Sequence, residues 1–320
     1  MRKQLLLRLA ALALTLLMAW PSVLALAEDA PPVLVSRVDD PAAPWPFAGD
    51  AELLEVWFPQ MINCDAALIR CGGEDVLIDC CSKAYAKRLL ILLDGLGISE
   101  IRTIYNTHPH HDHLLGFAQV ADHVHVGELA VCFPEDETDR MVEAVAEAAA
   151  RQIPVTHFAD GDVLRVGGAE IAVFLKGEDD WGLNDRSAMM RLEYGWRSML
   201  FTADMQKQAL TRAVEAVDPA LLKADIMKYP HHGLTLLTDA FAQAVSPLLC
   251  IVTNNTRPSD ALYRLRLRHI PYIITSRGYT HLVTDGVTWL VEIIPADDML
   301  AAQKAYLADP QSVTTWSPSK

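Results

Sequence analysis

Positive charge is scarce in this sequence. Its 320 residues hold 27 Lys and Arg against 41 Asp and Glu, a formal net charge of −14. No wide basic face can dominate such a chain, which excludes a protein that grips duplex DNA by charge alone. Long apolar runs are confined to the first 27 residues. Beyond them no stretch of 18 apolar residues occurs, so nothing later spans a bilayer as a helix. No G-x-G-x-x-G turn is present, which argues against a dinucleotide-binding fold. Close repeats and low-complexity tracts are missing too. The six cysteines, Cys64, Cys71, Cys80, Cys81, Cys132 and Cys250, follow no zinc-knuckle spacing. The chain is nevertheless 51% hydrophobic and 21% charged, the balance of a globular protein with a substantial core.

Residues 1–27 have the layout of a secretory signal peptide. Arg2 and Lys3 precede a Leu/Ala-rich stretch, and Ala25-Leu26-Ala27 is a small-x-small cleavage pattern before Glu28. An uncleaved membrane anchor is the alternative, weakened by Arg8 within the apolar stretch and Pro21 near its end. Cleavage removes three basic residues and no acid, leaving a net charge of −17. The mature protein is then exported, to the envelope or beyond, with no stable membrane span. In an oxidising compartment the cysteines can pair. Cys64 and Cys71 are close enough in sequence to bridge a hairpin, and buried or bridged thiols are the plainest reading of the set.

Residues 28–50, rich in Pro, Ala and Asp, read as a linker, residues 51–296 as the folded domain and 297–320 as a C-terminal tail. Within the domain short apolar runs alternate with turns. Strands are expected at Leu53–Phe58, Ala66–Arg70, Val76–Ile78 and Ile101–Tyr105, and helices at Ala84–Leu96 and Glu135–Arg151. The second half repeats strand and helix, with strands at Ser198–Phe201, Ile226–Tyr229 and Leu248–Thr253. Two facing mixed sheets with helices outside would bury this many strands, an α/β or α+β fold.

Residues 107–113 read Thr-His-Pro-His-His-Asp-His, and the strand Ile101–Tyr105 runs directly into them. In an extended turn His108 and His110 point the same way and can share one metal, while Asp112 and His113 lie beside a second position. Imidazole nitrogen and carboxylate oxygen suit Zn²⁺, and also Mn²⁺ or Fe²⁺. Other histidines carry less. His123, His125 and His157 read as strand-edge residues, and His281 as a weaker candidate to face the site. Arg264 and Arg268 share one helix face and read either as solvated or as a phosphate grip.

The 107–113 segment resembles the signature of the metallo-β-lactamase fold, and Val76-Leu77-Ile78-Asp79 is similar to a strand of that family. Asn184-Asp185-Arg186-Ser187, Leu200-Phe201-Thr202-Ala203-Asp204 and Lys228-Tyr229-Pro230-His231-His232-Gly233 are similar to stretches of its ComEC/Rec2-like branch. The resemblance implies a four-layer αββα sandwich with a binuclear metal site at one edge. It implies that His108 and His110 bind a first divalent ion, that Asp112 and His113 bind a second, and that Asp204 bridges them. One of His231 and His232 completes the second site. His231, nearer the strand end, is preferred, leaving His232 as a spare catalytic imidazole. Ala203 stands where the family has Gly and Leu234 where it has Ser. No His occurs between His157 and His231, so a third His for the first ion is lacking.

The expected activity is hydrolysis by water activated between two ions, Zn²⁺ or else Mn²⁺. Asp112 would also orient the nucleophile, and Asn184, Ser187 or the spare His would donate to the oxyanion or leaving group. The branch resemblance points to phosphodiester cleavage, of nucleic acid or a small-molecule phosphoester, and the acidic charge favours the small substrate. A carbonyl hydrolase, lactonase or β-lactamase-like, is the second reading. A catalytically silent envelope binding module is the third.

Overall fold

The fold is seen in a computed structural model, which describes residues 33–310 apart from Asp39 and Pro258. The signal-peptide segment 1–27 lies outside the described residues. The described residues from Leu34 to Pro310 form one compact unit.

Sixteen strands among the described residues form two sheets. The larger has nine strands in the order β1 (Leu34–Ser36), β16 (Trp289–Ile294), β15 (Tyr279–Thr284), β2 (Leu54–Phe58), β3 (Ala67–Cys71), β4 (Glu74–Ile78), β5 (Glu100–Asn106), β6 (His125–Val131) and β7 (Val155–His157), and the smaller seven in the order β14 (Tyr272–Ile274), β13 (Leu249–Val252), β12 (Ile226–Lys228), β11 (Arg197–Phe201), β10 (Met189–Tyr194), β9 (Ala169–Phe174) and β8 (Val163–Val166). Strands buried on both faces explain the apolar runs. In β2 (Leu54–Phe58), Leu54, Val56 and Phe58 point between the sheets and Trp57 points outward. In β13 (Leu249–Val252), Leu249 and Ile251 point inward, Cys250 and Val252 outward. This period of two gives each sheet an inner and an outer apolar face.

The outer faces are closed by helices. Against the large sheet pack α1 (Ala86–Gly95), α2 (His111–Leu114), α3 (Phe117–His123), α4 (Asp139–Ala150) and α9 (Ala296–Ala308), through Leu89, Leu114, Val120, Met141 and Met299 among others. Against the small sheet pack α5 (Lys207–Ala216), α6 (Pro219–Leu222), α7 (Asp239–Val245) and α8 (Ser259–Leu267). The result is the four-layer αββα sandwich.

The large sheet is mixed, as expected, because β4 (Glu74–Ile78), β5 (Glu100–Asn106), β6 (His125–Val131) and β7 (Val155–His157) run parallel. Several elements depart from expectation. The linker contributes β1 (Leu34–Ser36), paired with β16 (Trp289–Ile294). The expected tail is helical over Ala296–Ala308 and buries Met299 completely. α4 starts at Asp139 because the Thr138 side chain caps it by accepting from the Met141 N–H. His123 ends a helix and binds Asp94. All six cysteines are free thiols, so no Cys64–Cys71 bridge forms.

Candidate metal centre

Parallel strands end together, and the loops after them gather the chemistry at one edge of the sandwich. From the large sheet come Asp79, after β4, and the His108–His113 segment, after β5. From the small sheet come Asp204, after β11 (Arg197–Phe201), and His231-His232, after β12 (Ile226–Lys228). Backbone hydrogen bonds lace the loops: Cys80 N–H to His113 O (2.8 Å), Cys81 N–H to Asp65 O (2.8 Å) and Asp65 N–H to Asp112 O (3.1 Å). Gly116 lets two of them touch, since a Cβ there would lie 1.9 Å from the Cys80 carbonyl oxygen. Of the nine non-glycine residues with positive φ among those described, five stand in these loops: Asp79, Cys81, Ala203, His231 and His232. Such concentration of strain accompanies functional sites.

Asp204, almost fully buried, is the hub. Its Oδ2 lies 3.2 Å from His113 Nε2, 3.3 Å from His232 Nε2, and 3.8 Å from both His108 Nε2 and His231 Nε2. His108 Nε2 is 3.0 Å from His110 Nδ1, and His232 Nε2 is 3.3 Å from Asp112 Oδ2. Two donor groups result: His108, His110 and Asp204 in one, and His113, His232, Asp112 and Asp204 in the other.

Two carboxylates fix the imidazoles from behind. Asp79 Oδ2 lies 2.7 Å from His113 Nδ1 and also accepts from the Thr107 hydroxyl. Asp65 Oδ1 lies 3.1 Å from His232 Nδ1 and accepts from the Thr253 hydroxyl at 2.5 Å. Each arrangement directs Nε2 into the cluster, as metal-ligating histidines require. Asp65 itself is close enough to be a candidate donor, but its oxygens are engaged by Thr253, His232 and Lys228. It therefore reads as an orienting group.

The electrostatics point the same way. Burial opposes ionisation of Asp204, but His232 and His113 outweigh it and hold the carboxyl well below its usual range. Burial likewise works against a charged His113, yet Asp204 and then Asp79 push it well above the ordinary imidazole value. His108 is pushed well below that value, first by burial and then by His113.

Do these residues fit divalent cations? Two buried atoms that face the cluster, His113 Nε2 and His232 Nε2, have no hydrogen-bond partner. Orphaned buried donors and acceptors are costly, and a cation would satisfy the two imidazole nitrogens. The donor separations of 3.0–3.8 Å bracket the edge of a tetrahedron with bonds of about 2.1 Å, roughly 3.4 Å. The chemistry is imidazole and carboxylate, the set used by Zn²⁺ and Mn²⁺. The residues fit.

The expected site residues are therefore largely brought together, with corrections. His232, not His231, faces Asp112 and is fully buried behind Asp65, because the consecutive left-handed conformations of the two residues turn the second imidazole inward. His231 sits on the rim, partly exposed, its Nδ1 3.3 Å from Gln206 Nε2. The 184–187 turn does reach the His108 loop, through Ala188 N–H to Thr107 O (3.0 Å). The Ser187 hydroxyl, however, donates to the Asn184 carbonyl at 2.7 Å and is not directed at the cluster. His281 stacks on Trp57 between Glu55 and Glu292, in the sheet and away from the cluster. Arg268 is spent on Asp239. Asp65 and Lys228 were missed as site residues; the only sequence sign of Lys228 is its place at the head of the His-His segment.

Residues 61–245, more than half of the chain, match the metallo-beta-lactamase superfamily. The chain belongs to that superfamily and is, at that level, a metal-dependent hydrolase. Similar solved structures include the metallo-beta-lactamase fold protein YhfI from Bacillus subtilis, 13% identical with TM-score 0.47, over 69% of this chain and 95% of that one. A Cronobacter sakazakii metallo-beta-lactamase with a HARLDQ motif is 12% identical with TM-score 0.41, over 80% and 91%. The diiron β-hydroxylase CmlA from Streptomyces venezuelae is 16% identical with TM-score 0.45, over 71% and 52%. No curated protein sequence matches the chain.

Proposed function

We propose that this protein is an exported, two-metal phosphodiesterase of the ComEC/Rec2-like kind, acting on a small phosphodiester. The observation that favours a phosphoester over a neutral carbonyl ester is Arg140. It is exposed in the first turn of α4, which packs against the His111–Leu114 helix, and its charge reaches His110 and depresses that imidazole after burial and His113 have done so. It has no ion-pair partner among the described residues, whereas its neighbour Arg186 is neutralised by Glu137 at 2.6 Å. In a chain of net charge −14, a guanidinium without an ion-pair partner whose charge reaches His110 is suited to an anionic substrate.

His108, His110 and Asp204 would hold one divalent ion and His113, His232, Asp112 and Asp204 the other, which would supply Lewis acidity for an ester oxygen and lower the pKa of a water. The chain's own residues do the rest. Asp79 and Asp65 hold the His113 and His232 tautomers with Nε2 inward. Asp112, beside His232 Nε2, is placed to accept a proton from the attacking water. Arg140 grips a non-bridging oxygen. His231, on the rim beside Gln206, is placed to donate to the leaving group, the part first given to His232.

The test is turnover of bis-(p-nitrophenyl) phosphate by the protein with Zn²⁺ or Mn²⁺. Turnover is expected to fall at least 100-fold in His110→Ala and Asp204→Ala, in line with loss of metal-assisted catalysis. Arg140→Ala should raise KM about tenfold with kcat little changed, as loss of uniform binding does. Turnover of p-nitrophenyl acetate but not of the phosphodiester would establish the carbonyl-hydrolase reading instead.

A further inference from the structure

Lys228 is among the largest fully buried side chains in the molecule. A buried ammonium is costly unless it is paired and hydrogen-bonded, and here it has both kinds of partner. Nζ forms an ion pair with Asp65, donates to the Ala203 carbonyl at 2.7 Å and lies 3.6 Å from Asp204 Oδ1. Its own carbonyl accepts from the Thr202 hydroxyl at 2.6 Å. The ammonium thus ties the end of β12 to Ala203 and to the loop carrying Asp65.

The two oxygens of Asp204 face different worlds. Oδ2 faces four of the imidazoles, those of His108, His113, His231 and His232, at 3.2–3.8 Å. Oδ1 faces Lys228 alone among the charged groups. Asp65 divides in the same way, one oxygen to Lys228 and the other to His232.

We propose that Lys228 is a positioning residue for the cluster: with Asp65 and the Ala203 carbonyl it holds Asp204 so that a single oxygen, Oδ2, serves both donor groups, and it keeps His232 turned inward through Asp65. This rests on the two-cation reading of the site but not on the phosphodiester reading. A simple electrostatic role predicts something different. A cation so close repels divalent ions, so removing its charge would tighten binding of both. A positioning role makes the second ion depend on Lys228 more than the first.

The experiment is titration of the metal-free full chain with Co²⁺, followed by calorimetry and by visible absorption, for wild type, Lys228→Gln and Asp65→Asn, with folding checked by circular dichroism. The two variants remove the ion pair from opposite ends, so either one that folds decides the matter. The expected result is two ions in the wild type and, in a folded variant, a second affinity weakened at least tenfold relative to the first, with an altered Co²⁺ spectrum. Equal tightening of both ions, or unchanged affinities and spectrum beside a lowered melting temperature, would overturn the proposal. Failure of the wild type to bind two ions would instead sink the two-cation reading.

Discussion

At the scale of single residues, the site is held by conformations that side chains resist. Ala203 has a φ of 43°, in the left-handed region, immediately before the hub carboxylate. Its Cβ costs about 1–2 kcal/mol there, and glycine's extra chain entropy costs only about 0.5–1 kcal/mol. Ala203→Gly is therefore expected to raise stability by about 0.5–1 kcal/mol in urea unfolding; a loss of stability would show that the methyl group is held by packing. The same strain separates His231 from His232. Two adjacent left-handed residues cannot be anticipated from a His-His dipeptide, so the sequence brought the pair to the site and preferred the member that lies on the rim. The H-x-H-x-D-H motif was legible because its spacing is itself the chemistry. Asp65 and Lys228 were not, because their meaning lies in a contact across 163 positions of chain.

At the scale of elements, the strands were readable because both faces are buried and the apolar runs are short. What sequence reading lost were the pieces whose partners lie far away. β1 pairs with β16, more than 250 residues on, and its three residues carry too little pattern to be seen. α9 was taken for a tail because only one of its residues, Met299, is fully buried. That one contact is close: a Cβ added to Gly95 would lie 2.6 Å from Met299 Sδ. Met299→Ala is expected to cost about 2–4 kcal/mol, measured by thermal or urea unfolding. A change under about 0.5 kcal/mol, the scale of surface substitutions, would mean that the helix is a peripheral addition.

At the scale of the whole molecule, charged groups inside the sheets tie stability to pH. His281 Nδ1 and Nε2 each lie 2.9 Å from a glutamate, Glu292 and Glu55, and the ring stacks on Trp57. Arg37 reaches Glu292, and the charge of Arg70 reaches Glu55. Burial works against the His281 charge, but hydrogen bonds to Glu292 and Glu55 outweigh it and raise the pKa. Burial raises Glu55, but His281 and Arg70 bring it to about 2. A raised imidazole stabilises the fold fully below its unfolded value near 6.5 and loses that contribution as pH rises through the folded value. The depressed Glu55 contributes above its unfolded value and loses it as pH falls toward about 2. His281→Ala should therefore destabilise by roughly 3 kcal/mol near pH 6, where a buried charge network loses a partner, and by less at pH 9. Equal losses at both pH values would contradict a charged His281.

No helix among the described residues is long and apolar enough to cross a membrane. The described residues form a sandwich with one chemically dense edge. At that edge we propose two cations, one in each of two donor groups that share Asp204. The most direct measurement is the metal content of the purified protein, by elemental analysis after dialysis against Zn²⁺ at low free concentration, beside Asp204→Ala and His113→Ala. Two ions per chain in the wild type are predicted, with at most one in His113→Ala and fewer than one in Asp204→Ala. A wild type that retains no metal, or an Asp204→Ala that still retains two ions, would contradict the account.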